Sequence, residues 1–149
     1  MKNYHYTESG LNSVWLANGF EIVKSAKGTG LKIHDIDGLH AAIGNSIVER
    51  AKRLSGDEFR FLRVELLYSQ ARLATLFQVT PLTVARWEKG ATKIPASTDA
   101  TLRALYQEKN NRKAPTVGEL LLYLTELELE AEARKLVMEE GAQGWSQAA

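Results

Sequence analysis

The side chains best suited to chemistry fall in two stretches. Between residues 70 and 93 stand Gln70, Arg72, Thr80, Leu82, Thr83, Arg86, Lys89 and Lys93, a mixture of cations, amide and hydroxyl groups with one apolar residue. A guanidinium such as that of Arg86 can hold the O6 and N7 atoms of guanine with two parallel hydrogen bonds, worth ~1–3 kcal/mol of discrimination. Leu82 and Thr83 offer apolar contact for thymine methyl groups, and lysines at 89 and 93 suit phosphates. The second stretch, His34-Asp35-Ile36-Asp37-Gly38-Leu39-His40, holds four groups of the kinds that bind divalent cations.

Helical spacing decides between them. Ile36, Leu39, Ile43 and Ile47 recur at the helical period, so about Asp37 to Arg50 reads as a helix with Asp35 or Asp37 as its N-cap. Capping accounts for one carboxylate, and His40 lies one position from the apolar Leu39, so neither a metal nor any other cofactor is assigned. Gly28-Thr29-Gly30 is too short for a phosphate-binding fingerprint and is read as a turn or loop, and no nucleophile stands beside a base. Catalysis is not expected.

The 70–93 stretch sits on a pair of short helices. Ser69 opens one that runs to Phe77, and Thr80-Pro81 opens a second that runs to Lys89, ended by Gly90. Between them, Gln78 is expected in the left-handed region, at a cost of ~1 kcal/mol. The small Ala74 and the apolar Val84 are expected where the helices cross. Val84 and Trp87 then face inward, and Leu82, Thr83 and Arg86 face outward. A second helix held steeply against the first can enter the major groove of duplex DNA. Arg86, Leu82 and Thr83 would then read bases. Gln70 and Arg72 at the start of the first helix, Thr80 at the start of the second, and Lys89 and Lys93 beyond it complete the DNA-facing set. Glu88 is expected to pair with an arginine of the helix before this pair, such as Arg60 or Arg63, because a carboxylate there would repel phosphate.

The other elements read outward from this pair. Ser55 and Glu58 form a capping box for a helix carrying Phe59, Leu62 and Leu66, and a further helix is expected from about Ala96 to Glu108. Upstream, Tyr4–Tyr6, Val14–Leu16, Phe20–Val23 and Leu31–His34 are β-prone, with Asn18-Gly19 as a hairpin turn between the second and third. Tyr4, Tyr6, Trp15 and Phe20 are expected to fill the core of this small sheet. Downstream of a polar linker, Thr116 and Glu119 cap a helix with Leu120, Leu124, Leu127 and Ala131 on one face, running to about Glu140. The chain is expected to fray from Gly141, apart from Trp145. The leucine stripe suits either a dimer seam or packing onto its own domain.

Ser69-Gln70…Leu73-Ala74…Val84…Trp87-Glu88-Lys89-Gly90 resembles the Cro/cI-type (XRE) helix-turn-helix family, whose members repress promoters as dimers. Leu54-Ser55-Gly56-Asp57-Glu58-Phe59-Arg60-Phe61-Leu62-Arg63 resembles the first DNA-domain helix of MqsA-type antitoxin regulators. Tyr6…Ser9-Gly10-Leu11…Val14-Trp15-Leu16 and Leu39-His40…Ile43 resemble that family's N-terminal domain. The resemblance spans about Tyr4 to Tyr106. It implies a lambda-repressor-like domain of four to five helices, a homodimer and a palindromic operator in double-stranded DNA. The alternative it carries is an antitoxin that binds a toxin protein and autoregulates its operon. Zinc, which that family holds through Cys-x-x-Cys pairs, is not implied, because the chain has no cysteine.

The expected fold class is therefore mainly α, of α+β type. It has a small α+β module over 1–53, a helix-turn-helix domain over 54–110 and a C-terminal helix over 116–140. Hydrophobic residues at 44% and charged residues at 25% of 149 fit an ordinary globular chain. The net charge of +1 divides into +2, +2 and −3 over residues 1–53, 54–110 and 111–149, so an acidic tail masks a mildly basic body. No apolar run of membrane-spanning length and no signal peptide is legible, and a cytoplasmic protein without a membrane partner is expected.

Overall fold

The computed structural model describes residues 2–50, 52–110 and 136–148. They fall into two compact units, one of residues 2–46 with 136–148, the other of residues 47–110. Among the described residues there are five α-helices and two small sheets, an α+β chain. None of these helices is long and apolar enough to cross a membrane.

The first unit joins the two ends of the chain in one sheet. Strands β1 (Tyr4–His5), β2 (Val14–Leu16), β5 (Leu136–Gly141) and β6 (Gly144–Gln147) lie in the order β1-β2-β5-β6, with β2 and β5 parallel. Strand residues point alternately to opposite faces. Val14, Leu16, Leu136 and Met138 accordingly put one face of the sheet into the core, each at most 1% exposed. Leu11, Leu39, Ile43 and Trp145 are buried in the same unit. Strands β3 (Phe20–Ser25) and β4 (Gly28–Ile33) form a separate two-stranded ribbon. Helix α1 (Ile36–Glu49) follows it, and the boundary between the units falls within α1, after Ser46.

Several expectations for this unit are corrected. Asn18-Gly19 does not close a hairpin: β2 pairs with β1 and β5, and β3 pairs with β4. The turn chemistry is present, since Gly19 has φ +75, but the chain crosses there from one sheet to the other. Gly28-Thr29-Gly30 is strand, and the hairpin turn lies before it at Ala26-Lys27. The helix expected over 116–140 fails in its last five residues, which are strand because Leu136 and Met138 match the alternation of β2 beside them. Residues 116–135 lie outside the described residues. Beyond Gly141 the chain does not fray but returns as β6, pairing Glu140 with Trp145. Of the four aromatic residues expected in the core only Tyr6 is buried; Tyr4, Trp15 and Phe20 are half-buried.

The second unit holds α2 (Gly56–Glu65), α3 (Gln70–Phe77), α4 (Pro81–Glu88) and α5 (Ala96–Lys109). Each of the first three starts at a residue whose hydroxyl accepts a backbone N–H: Ser55 from Glu58, Ser69 from Arg72, Thr80 from Thr83. Glu58 reciprocates to the Ser55 N–H and completes the capping box. Phe59, Leu62, Leu66, Leu73, Ala74, Val84, Trp87, Leu102 and Tyr106 form the core, with Phe59 and Trp87 edge to face at 5.7 Å. A buried polar cluster braces it. Arg103 donates to Asp99 at 2.7 Å and to the carbonyls of Ile47, Arg50 and Lys52, while Asp99 also accepts the Leu54 N–H at 2.6 Å. Burial pushes the Arg103 guanidinium below its ordinary pKa, against the opposite pull of Asp99.

Candidate nucleic-acid interface

The eight residues of α3 and the eight of α4 are joined by Gln78-Val79-Thr80. Gln78 lies at φ 56, ψ 43, in the left-handed region as the spacing requires, and the Val79 N–H closes the turn onto the Ala74 carbonyl at 2.9 Å. Ala74 and Val84 are 1% and 0% exposed. Pro81 occupies the first turn of α4, where its missing N–H costs nothing.

The inner face of α4 is held at both ends. Val84 and Trp87 are buried, each worth ~2 kcal/mol of apolar burial by the usual area scale. Glu88 takes Arg63 Nε at 2.6 Å and Nη2 at 3.0 Å, a two-bond pair from α4 to α2. The same carboxylate accepts Gln70 Nε2 at 3.0 Å, and Arg63 Nη1 donates to the Tyr68 carbonyl at 2.9 Å. One ionic cluster thus ties α2, the start of α3 and the end of α4. Gly56 presses on the same end of α4: a Cβ added there would stand 2.4 Å from the Glu88 carbonyl oxygen and 2.6 Å from that of Trp87.

The outer face of α4 is open. Leu82 is 58% exposed, Arg86 is exposed and Thr83 is half-buried. The side chains of Arg86, Lys89 and Lys93 are exposed and make no hydrogen bond or ion pair among the described residues. Thr80 and Thr83 share a hydroxyl hydrogen bond of 2.9 Å at the start of the helix. Arg72 is exposed, its guanidinium 5.2 Å above the Tyr68 ring.

Most of the expected set is therefore gathered on and around α4, with one change of role and one addition. Gln70 spends an amide hydrogen on Glu88, so the side chain expected to reach toward phosphate is half committed to the protein. Tyr68 was not among the expected residues, yet it carries Arg72 on its ring and has Lys109 Nζ 5.8 Å from the ring centre. Its spacing of four from Arg72 was the available signal.

The His34–His40 stretch is dispersed. His34 Nδ1 meets Glu140 at 2.5 Å, the His40 ring meets the Tyr6 hydroxyl at 2.8 Å, and Asp35 accepts the Gly38 N–H at 3.2 Å as the cap of α1. Among the described residues no three His, Asp or Glu side chains gather as metal ligands. Compared with known protein families, curated proteins and solved structures, the chain matches none.

Proposed function

We propose that α3 and α4 are a helix-turn-helix, that α4 reads bases in the major groove of double-stranded DNA, and that the protein represses transcription from a palindromic operator as a homodimer. The observation that carries this is the division of α4 into two faces. Val84, Trp87 and Glu88 are buried and anchored, while Leu82 and Arg86 point outward with no partner among the described residues. A guanidinium with no partner on the exposed face of an anchored helix is available for the two-bond guanine contact. Phosphate contacts fall to Arg72, Lys89 and Lys93, with Gln70 and Thr80 at the two helix starts.

The length of α4 supports the dimer. Eight residues of helix span ~12 Å, enough for one half-site, and the affinity typical of a specific regulator comes from two such helices about one DNA turn apart.

The test is binding to the DNA upstream of the protein's own gene against random duplex of equal length. Arg86→Ala is expected to lower the preference for the specific DNA by roughly 5- to 150-fold while leaving random-duplex binding nearly unchanged. Equal losses on both would remove its base-reading role.

A further inference from the structure

The β3–β4 ribbon of the first unit has no role in the base-reading site. Residues 21–30 are exposed without interruption, although an isolated pair of strands is marginal in water. Its inner end is tethered by the ring of Phe20, 5.3 Å from that of Tyr4. Glu21 stands opposite Lys32 in the register, and their charges offset one another. Beyond that pair, residues 22–31 carry Lys24 and Lys27 and no acid. Neither lysine side chain makes a hydrogen bond or ion pair among the described residues. The remaining side chains of the tip are small: Ser25, Ala26, Gly28, Thr29 and Gly30. Around Gly28 even an added Cβ would meet nothing within 4 Å.

The shape and charge select the occupant. Ile22 and Val23, 53% and 46% exposed, are consecutive and so point to opposite faces. A flat protein surface would cover only one of them. A second copy would bring two cationic tips together, at an electrostatic cost. The major groove of DNA is wide enough for two strands and lies between rows of phosphates, whose charge matches a tip that carries two lysines and no acid. We infer that the outer half of the ribbon is a second contact on duplex DNA, with Lys24 and Lys27 on phosphates, adding affinity without reading sequence. This rests on the DNA-binding reading above.

The experiment compares the full-length protein, Lys24→Gln/Lys27→Gln and Arg86→Ala on two 40-base-pair duplexes, one from upstream of its gene and one random, between 50 and 200 mM salt. Loss of two phosphate contacts makes the slope of log affinity against log salt shallower by about 1.8 on both duplexes, a roughly 12-fold smaller gain at low salt. The preference for the upstream duplex should survive in this variant and fall in Arg86→Ala. An unchanged salt slope overturns the ribbon contact and leaves the lysines as guards of open strand edges. If the wild type shows no preference between duplexes but the lysine variant still flattens the slope, base reading fails and the ribbon contact stands. No binding to either duplex overturns both.

Discussion

Glu88 and Arg63 are joined by two hydrogen bonds, of 2.6 and 3.0 Å, with both side chains almost wholly out of water. The pair sets where α4 ends relative to α2, and through Gln70 it includes the start of α3. Glu88→Ala leaves a buried guanidinium unpaired and is expected to cost about 3–5 kcal/mol in urea unfolding. Replacing both partners by apolar residues, as in Arg63→Met with Glu88→Leu, should recover most of that loss. A double variant no more stable than the single one would show that the charges themselves hold the unit together.

Gly56 offers a test in which helix propensity and packing give opposite signs. On propensity alone, Gly→Ala in a helix stabilises by up to about 1 kcal/mol. Here the new methyl would run into the backbone carbonyls of Trp87 and Glu88, which cannot swing aside as a flexible side chain can. Gly56→Ala is therefore expected to destabilise by about 1–3 kcal/mol in denaturant titration and to displace the end of α4. A stabilised variant would mean that the two helix ends separate at little cost.

Arg103 and Asp99 are the most deeply buried charges among the described residues, 2% and 0% exposed, and between them they bond the chain at Ile47, Arg50, Lys52 and Leu54. Arg103→Lys retains the charge but loses the planar fork that reaches several acceptors at once. It should destabilise by about 2–4 kcal/mol, since carbonyls at the end of α1 lose their donor. Asp99→Asn should cost a similar amount, read by thermal unfolding. Little change in either variant would make this cluster incidental.

Local signals and non-local pairings were legible to different degrees. Ser55 with Glu58, Ser69, Thr80-Pro81 and Gly90 each state a helix end through an interaction within a few residues, and the structure follows all of them. The sequence offers arginines such as Arg60 and Arg63 as the partner of Glu88, and the fold brings Arg63 to it. The β5 strand gave no such sign. Leu136-Val137-Met138 is consistent with helix or strand, and what decides it is a neighbour more than a hundred residues earlier, Val14–Leu16. Asn18-Gly19 misled for the same reason, because a turn dipeptide specifies a change of direction and not which strands meet. Gln70 could be placed at the start of α3 from its sequence, but its bond to Glu88 depends on the fold of three helices.

The parallel pairing of β2 with β5 also orders events during synthesis. Residues 47–110, which make the helical unit, have all been joined before Leu136 is added. The helical elements are therefore made before the β5 partners of Val14 and Leu16, which lack that neighbour until Leu136 and Met138 emerge. For that interval β2 carries an open, apolar edge, and it depends on prompt arrival of β5 or on a chaperone to keep it from other partners.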